Sequence, residues 1–295
     1  MSAATAPAPA GPAAATAPQT GRRPGVWTVY RWEMRKLRYQ KRTYLGLGAA
    51  MLVPCIFIVA LLLENGGGGD GGFPFARYVR ETGLAVPLVG LLFGSVWLFP
   101  LITALVAGDI VASEDGQGTL KTILTRSLDR TQIFAGKVLA AMTYAVIALA
   151  IFGGTGLVLG CLAFGFDPLV GLSGNRYPAS EGLLLVLGSM GAYLLPTIAI
   201  ASIALMLSTL TKNSAASVVG ALMFSLILQL LGIIDGLEWL RPYLLSEQFS
   251  AWLGLARDPI DWEPIVTASW VCALYAVPAL VVAWLHFLRR DVAGG

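Results

Sequence analysis

The feature that most constrains this chain is a set of six long stretches without any Asp, Glu, Lys or Arg. They are Thr43–Leu63, Thr82–Gly108, Val138–Phe166, Gly182–Thr211, Asn213–Ile234 and Pro264–Leu288. Each has at least the ~20 apolar residues that a helix needs to cross a hydrocarbon layer about 30 Å thick. The ~10-residue alternating segments of a transmembrane barrel do not occur. The sequence therefore predicts an all-α integral membrane protein with six transmembrane helices, at about 43–63, 84–107, 138–164, 183–210, 214–234 and 265–288.

The composition excludes an ordinary soluble enzyme. Of the 295 residues, 56% are apolar and 13% are charged, which is about half the usual share of charged residues. A single soluble core could not bury that much apolar side chain. Cys55, Cys161 and Cys272 lie in or beside the predicted spans without a CxxC pair. We interpret them as small packing residues rather than as metal ligands or disulfide partners.

The placement of the charges predicts the orientation of the six helices. If the N-terminus is cytoplasmic, fifteen of the 20 Lys and Arg residues lie in the inner segments 1–42, 109–137, 212 and 289–295. The acidic residues run the other way, with six inside and eleven outside. Because cytoplasmic loops carry an excess of Lys and Arg, we expect both termini in the cytoplasm.

Two different segments precede the first span. Residues 1–24 contain fourteen Ala or Pro and no Leu, Ile, Val or Phe, so they are predicted to form a disordered tail. Residues 25–42 are predicted to form an amphipathic helix with Val26, Tyr30, Met34 and Leu37 on one face. We interpret it as a helix on the inner surface of the lipid bilayer, with arginines on anionic head groups and no need of a nucleic acid partner. Its basic stripe consists of Arg31, Arg35, Arg38 and Arg42.

Small residues in two spans predict close helix contacts. Gly156 and Gly160 form a GxxxG pair in the third span, and Ala216 and Gly220 form a similar pair in the fifth. Contacts within one protomer and contacts between two protomers are both compatible with these pairs. Proline, which removes a helix hydrogen bond and can kink a helix, occurs in four spans at Pro54, Pro87 with Pro100, Pro196 and Pro278.

The segment between the fifth and sixth spans, residues 235–264, combines apolar and acidic side chains. Its spacing predicts one short helix broken near Pro242 and a second short helix after Ser246. Trp239 and Trp252 lie here, and indole rings favour the membrane interface. We therefore expect short interfacial or re-entrant helices rather than another span.

The predicted spans contain no group that would drive transport or catalysis. Proton- and ion-coupled carriers usually place ionisable side chains at mid-membrane, and His286 is the only His of the chain. The sequence has neither the motifs of membrane hydrolases nor a nucleotide-binding P-loop. We therefore expect no enzymatic activity and no cofactor or metal in this chain. The protein either conducts passively or is driven by another protein.

The longest inner loop, residues 109–137, is the expected attachment point for such a driver. Gly116 and Gly118 end any continuation of the second span. Thr119 can cap a short helix that places Leu120 and Leu124 on one face. A leucine face of this kind suits a groove on a soluble partner.

The end of this loop predicts the start of the third long helix. Asp129 can cap that helix, and Gln132, three residues further on, completes a capping box. The helix then continues through Lys137 into the third span.

The same loop carries a family resemblance. Ser113-Glu114, Gly116, Gly118-Thr119-Leu120-Lys121, Leu124-Thr125, Arg130 and Gly136-Lys137 resemble the signature of the type-2 ABC exporter permeases, which include bacterial multidrug and bacitracin-type export permeases. One departure is Ser127, where the family often has proline. The resemblance extends over the whole chain, from the amphipathic segment to the short helices before the last span.

The resemblance implies a permease subunit in the bacterial cell membrane. It implies a second permease subunit, identical or different, and a separate cytoplasmic ATPase that binds ATP and Mg. The connecting helix would carry Arg31, Arg35, Arg38 and Arg42, and the outer gate region would carry Trp239, Pro242 and Trp252. The element that couples to the ATPase would carry Glu114, Gly118, Thr119, Leu120, Leu124 and Arg130.

A second class of function would use the same loop. A six-span scaffold or signalling protein could recruit a cytoplasmic partner without moving any solute. For a transporter, the uncharged spans favour an amphipathic or hydrophobic solute, and drugs, peptides, lipids and metal-linked cargo all remain open.

Overall fold

The computed structural model describes residues 25–63, 76–116, 129–171 and 173–289. The predicted tail at 1–24 and residues 117–128 of the inner loop lie outside these ranges. The helices are α1 Val26–Arg38, α2 Lys41–Leu63, α3 Ala76–Glu81, α4 Ala85–Gly94, α5 Leu98–Ala107, α6 Ala112–Gly116, α7 Arg130–Phe164, α8 Ala179–Thr211, α9 Ser214–Ile233 and α10 Glu263–Leu288. Strands β1 Leu169–Val170 and β2 Arg176–Tyr177 precede α8, and 3-10 helices η1 Glu238–Tyr243 and η2 Glu247–Ala256 precede α10.

Five of these helices are long and apolar enough to cross a membrane: α2, α7, α8, α9 and α10. The number becomes six if α4 and α5, which are bent by 69° at the break between them, form one span. The chain is therefore an all-α membrane protein, as the charge-free stretches predict. Helix α7 has 35 residues and is longer than the ~20 residues a span requires.

The second predicted span is not the continuous helix expected at 84–107. Pro100 lacks an N–H for the carbonyl of Val96, and its ring crowds that carbonyl, so the helix breaks on the N-terminal side of the proline. Gly94 ends α4, and a Cβ on it would lie 2.9 Å from the Phe99 ring. The Tyr193 hydroxyl, from α8, donates to the carbonyl of Leu91 at 3.2 Å and stabilises the end of α4.

Helix α8 lies at the centre of the bundle and packs against α5, α7, α9 and α10. Edge-to-face aromatic contacts connect it to its neighbours. The Tyr193 ring lies 5.0 Å from Phe99 of α5 and 5.0 Å from Phe249 of η2, measured between ring centroids. Pro196 lies inside α8 without ending it. The core therefore joins the broken span to the segment before α10.

The GxxxG pair of the third span makes its close contacts within the protomer. A Cβ on Gly160 would lie 2.6 Å from the carbonyl oxygen of Gly83, and a Cβ on Gly156 would lie 3.5 Å from Pro87. Both contacts join α7 to the segment that begins the second span. In the fifth span, Gly220 faces Leu207 of α8, whereas Ala216 is exposed.

The end of the bundle that carries β1, β2, η1 and η2 is called the hairpin end. The two strands pair antiparallel, with Leu169 opposite Tyr177. The predicted short helices after residue 235 are present as η1 and η2, and η2 packs on α8 and α10. Their re-entry into the membrane stays a prediction.

The contact of Gly160 with Gly83 predicts a specific packing defect. We expect Gly160→Ala to lower the free energy of unfolding by about 1–3 kcal/mol, because the added methyl group meets backbone atoms that must shift. The measurement is thermal unfolding of the purified protein in detergent. Gly154→Ala is the matched control, since a Cβ there meets no atom within 4 Å. Equal melting temperatures for the two variants would contradict this packing.

Candidate functional site

A fully buried lysine organises the end of the bundle that carries α1 and α6, here called the α1 end. The Lys137 side chain, on α7, has 0% of its surface exposed. Its Nζ lies 2.7 Å from Glu33 Oε1 of α1 and 2.6 Å from Glu114 Oε2 of α6. It also donates to the carbonyl oxygen of Ile110 at 3.1 Å. The three donors of the ammonium group thus face three acceptors.

Each partner of Lys137 is positioned by its own helix. Glu33 lies between Val29 and Leu37 at spacings of four residues, so the three side chains share the buried face of α1. Gly136 allows α1 to approach α7, since a Cβ there would lie 2.6 Å from Val29 Cγ1. Gly136 therefore provides the close contact between α1 and α7, and the next residue, Lys137, provides the buried cation.

Glu114 extends the network to a second lysine. Its Oε1 lies 2.6 Å from Lys36 Nζ, and the lysine side chain is 35% exposed. Burial raises the pKa of the Glu114 carboxyl, but the attraction of Lys137 and Lys36 outweighs it, so the pKa lies below its ordinary value of 4.5. The four side chains Glu33, Lys36, Glu114 and Lys137, named here the ion network, carry two positive and two negative charges.

A third buried carboxylate lies beside the ion network. Asp109, 2% exposed, follows α5 and forms an ion pair with Arg42 of α2. It also accepts a hydrogen bond from the Ser214 hydroxyl of α9. Ser208 Oγ, from α8, accepts the N–H groups of Val111 at 3.3 Å and of Ala112 at 3.0 Å. The segment that joins α5 to α6 is therefore fixed by three of the long helices.

The other end of the inner loop is also fixed. Asp129 is the N-cap of α7, and its side chain accepts the N–H of Thr131 at 3.3 Å, which confirms the predicted cap; the N–H of Gln132 bonds the backbone carbonyl of Asp129 instead of its side chain, so the capping box with Gln132 stays a prediction. Arg130 Nη1 donates to the carbonyl oxygen of Leu288 at the end of α10, at 2.6 Å. The described residues that come just before 117 and just after 128 are thus both anchored to the long helices.

The predicted basic stripe is divided between two helices. Helix α1 ends at Arg38, so Arg42 is not part of it, contrary to the prediction of one helix over 25–42. Arg42 lies in the first turn of α2, where it pairs with Asp109. Arg31, Arg35 and Arg38 are exposed on α1.

Some of the predicted coupling residues lie in the described part of the chain, and the others lie outside it. The structure brings Glu114 into the ion network and Arg130 to the end of α10. The remaining predicted residues lie outside the described residues: Gly118, Thr119, Leu120 and Leu124.

The residues of the predicted outer gate region are not brought together as one cluster. Trp239 is 69% exposed on η1, whereas Trp252 is 4% exposed on η2. Pro242 lies in η1, and its carbonyl accepts a hydrogen bond from Gln248 Nε2 of η2 at 2.8 Å. Trp252 lines an apolar cavity of about 220 Å³ together with Leu88, Leu169 and other residues of α4 and the hairpin.

The sequence did not predict the pairing of Lys137 with Glu33 and Glu114. Glu33 was the only acid of a basic helix, and a lone acid on the apolar face is a signal that could have identified it. Lys137 was assigned to the family signature and to the helix that leads into the third span, although a charge beside an apolar run costs free energy when it is buried without a partner. Within the described ranges, no group of three or more His, Cys, Asp or Glu side chains could hold a metal ion.

Fold and site define a helical membrane protein whose first described helix is joined by ion pairs to Glu114 and Lys137, on the two sides of residues 117–128. Residues 49–293 match the family described as "Protein of unknown function (DUF2705)", and the chain belongs to this family. It is also similar to "Uncharacterized protein YhcI" of Bacillus subtilis (strain 168), with 26% identity over 251 residues. That similarity covers 78% of this chain and 73% of the relative.

Removal of the buried lysine should destabilise the α1 end strongly. We expect Lys137→Met to cost about 3–5 kcal/mol, because Glu33 and Glu114 remain buried without their shared cation. Lys36→Met is the matched control and should cost less than about 1 kcal/mol, because Lys36 is partly exposed. Adding Glu33→Gln and Glu114→Gln to Lys137→Met should restore part of the loss. Thermal unfolding in detergent measures all three, and an unchanged melting temperature for Lys137→Met would contradict the network.

The lowered pKa of Glu114 predicts a loss of stability in acid. Because the pKa is lower in the folded than in the unfolded state, this carboxylate stabilises the fold fully above about pH 4.5 and loses its contribution as the pH falls through the lower folded value. The wild type should therefore lose more stability between about pH 7 and about pH 3.5 than Glu114→Gln. Parallel pH profiles of the two melting temperatures would contradict the ion pairing of Glu114.

Proposed function

We propose that this protein is the membrane-spanning permease subunit of an ATP-binding cassette exporter. It would move an amphipathic or hydrophobic solute outward, driven by a separate ATPase subunit. The observation that supports this most is the ion network, which joins Glu114 and Lys137, on either side of segment 117–128, to helix α1. A protein that pushes on this segment would move α1, α6 and α7 together. Separating these helices would leave buried charges without their partners, which costs free energy.

In this proposal the α1 end faces the cytoplasm of a bacterial cell, and both termini lie on that side. The excess of Lys and Arg in the predicted inner segments supports this orientation. The exposed Arg31, Arg35 and Arg38 of α1 lie at the same end. Helix α1 would serve as the connecting helix beside the ATPase.

The proposal also includes a second permease subunit and an outer gate at the hairpin end. The hydrogen bonds from Gln248 to the carbonyls of Pro242 and Leu244 join η1 to η2. Because η2 packs on α8 and α10, a movement of these helices would be passed to η1. This supports a gate role for the segment that carries Trp239 and Trp252.

Docking through the inner loop predicts a selective loss of ATPase binding. Leu120→Asp with Leu124→Asp should abolish co-purification with an ATPase encoded beside this gene, because the charges oppose burial of the leucine face. Lys212→Asp with Arg289→Asp is the control, since it adds charge of the same sign at exposed positions outside residues 109–137. Normal ATPase binding by the leucine variant would refute the docking role.

Transport itself is tested in proteoliposomes that contain both subunits. We expect ATP-dependent movement of a fluorescent phospholipid analogue or of a cationic amphipathic dye, and no movement with Leu120→Asp and Leu124→Asp. Intact ATPase binding without ATP-dependent flux of either probe would favour the scaffold function instead.

A further inference from the structure

A deep groove separates α1 from α2 at the α1 end. Helix α1 packs along α7 and contacts α2 much less, so a wedge of about 880 Å³ opens between them, with α7 at its floor. One wall carries arginine side chains, and the floor is apolar. The lining combines Arg31, Arg35, Arg38, Trp27, Trp32 and Tyr44 with Thr43, Leu47, Tyr144, Ile147 and four further residues of α1.

The basic residues of this region fall into two groups. Lys36 and Arg42 are paired with Glu114 and Asp109. Arg31, Arg35 and Arg38 have no acidic partner among the described residues, and they line the groove together. The groove therefore presents three positive charges that no acidic side chain of the described residues neutralises.

A buried hydroxyl lies in the same groove. Thr43 is 6% exposed, and its Oγ1 has no hydrogen-bond partner among the described residues. Its carbonyl oxygen accepts a hydrogen bond from the Tyr144 hydroxyl at 3.4 Å, so the residue is held in place. A buried hydroxyl without a partner carries a cost of about 1–3 kcal/mol, which a bound polar group would remove.

The apolar and aromatic parts of the groove indicate what kind of molecule fits. Leu47 of α2 and Ile147 of α7 belong to helices that are candidate membrane spans, so the floor continues toward the hydrocarbon layer. Trp27 and Tyr30 stack at 4.8 Å between ring centroids, and such amphipathic rings favour the level of lipid head groups. An acidic peptide would match the arginines but not the apolar floor.

We infer that this groove is a binding site for one anionic phospholipid. The phosphate would lie on Arg31, Arg35 and Arg38, because one guanidinium group can donate two parallel hydrogen bonds to two phosphate oxygens. A polar group of the glycerol region would pair with Thr43, and the acyl chains would follow Leu47 and Ile147. The site would join α1 to α2, which the protein's own contacts join only weakly. This inference does not depend on transport.

The test uses the full chain, purified in neutral detergent and titrated with dioleoylphosphatidylglycerol or dioleoylphosphatidylcholine under native mass spectrometry. We expect one tightly held phosphatidylglycerol per chain. Arg31→Gln with Arg35→Gln and Arg38→Gln should weaken its binding about 100-fold, because each of the three arginines contributes a similar share of the attraction to the anionic lipid. Thr43→Val should weaken it about fivefold, by the loss of one hydrogen bond, without lowering the melting temperature in phosphatidylcholine.

A second triple variant controls for general surface charge. Lys41→Gln with Lys212→Gln and Arg289→Gln removes the same charge at exposed positions that do not line the groove, and its binding should stay within about twofold of wild type. Equal losses in the two triple variants, or full binding by Thr43→Val, would overturn the site in favour of general surface attraction. Displacement of the lipid by equimolar glycerol phosphate or an acidic peptide would overturn the lipid assignment.

Discussion

The buried ammonium group of Lys137 is the interaction on which the α1 end depends. An unpaired charge at this depth would cost several kcal/mol, so the position is tolerated only while Glu33, Glu114 and the carbonyl of Ile110 remain in place. These acceptors belong to two separate segments of the chain, α1 and residues 110–114. The requirement to keep them together makes a mechanical unit of α1, α6 and the start of α7, although α1 is a short helix outside the long spans. A force on the inner loop would therefore reach α1 and α7 directly.

The bend of 69° between α4 and α5 separates two helices that are held by different contacts. Helix α5 is followed by Asp109, which is held by Arg42 and Ser214. Helix α4 is held instead by backbone contact between Gly83 and Gly160. Between them, the bend interrupts the helix hydrogen bonds, so the two halves are not one rigid rod.

The spans could be predicted from the sequence because the absence of charge over 20 or more residues is a property of one segment at a time. The cap at Asp129 was predictable for the same reason, since its partner Thr131 is two residues away. The pairing of Lys137 with Glu33 joins residues 104 apart, and no local pattern encodes that distance. The break before Pro100 is an intermediate case: proline permits it, but the position depends on Gly94, Phe99 and the hydroxyl of Tyr193.

The ion network also bears on the charge asymmetry that predicts the orientation. A basic residue paired within the protein interacts less with lipid head groups than an exposed one. We therefore leave out the basic residues that form ion pairs. They are Lys36, Arg42 and Lys137 on the predicted inner side and Arg257, which pairs with Asp261, on the predicted outer side. Twelve basic residues then remain on the inner side and four on the outer side. The ratio of three to one is unchanged, so the orientation does not depend on the buried charges. The structure separates two roles of the basic residues at the α1 end: Lys36, Arg42 and Lys137 pair with buried carboxylates, whereas Arg31, Arg35 and Arg38 are exposed on α1.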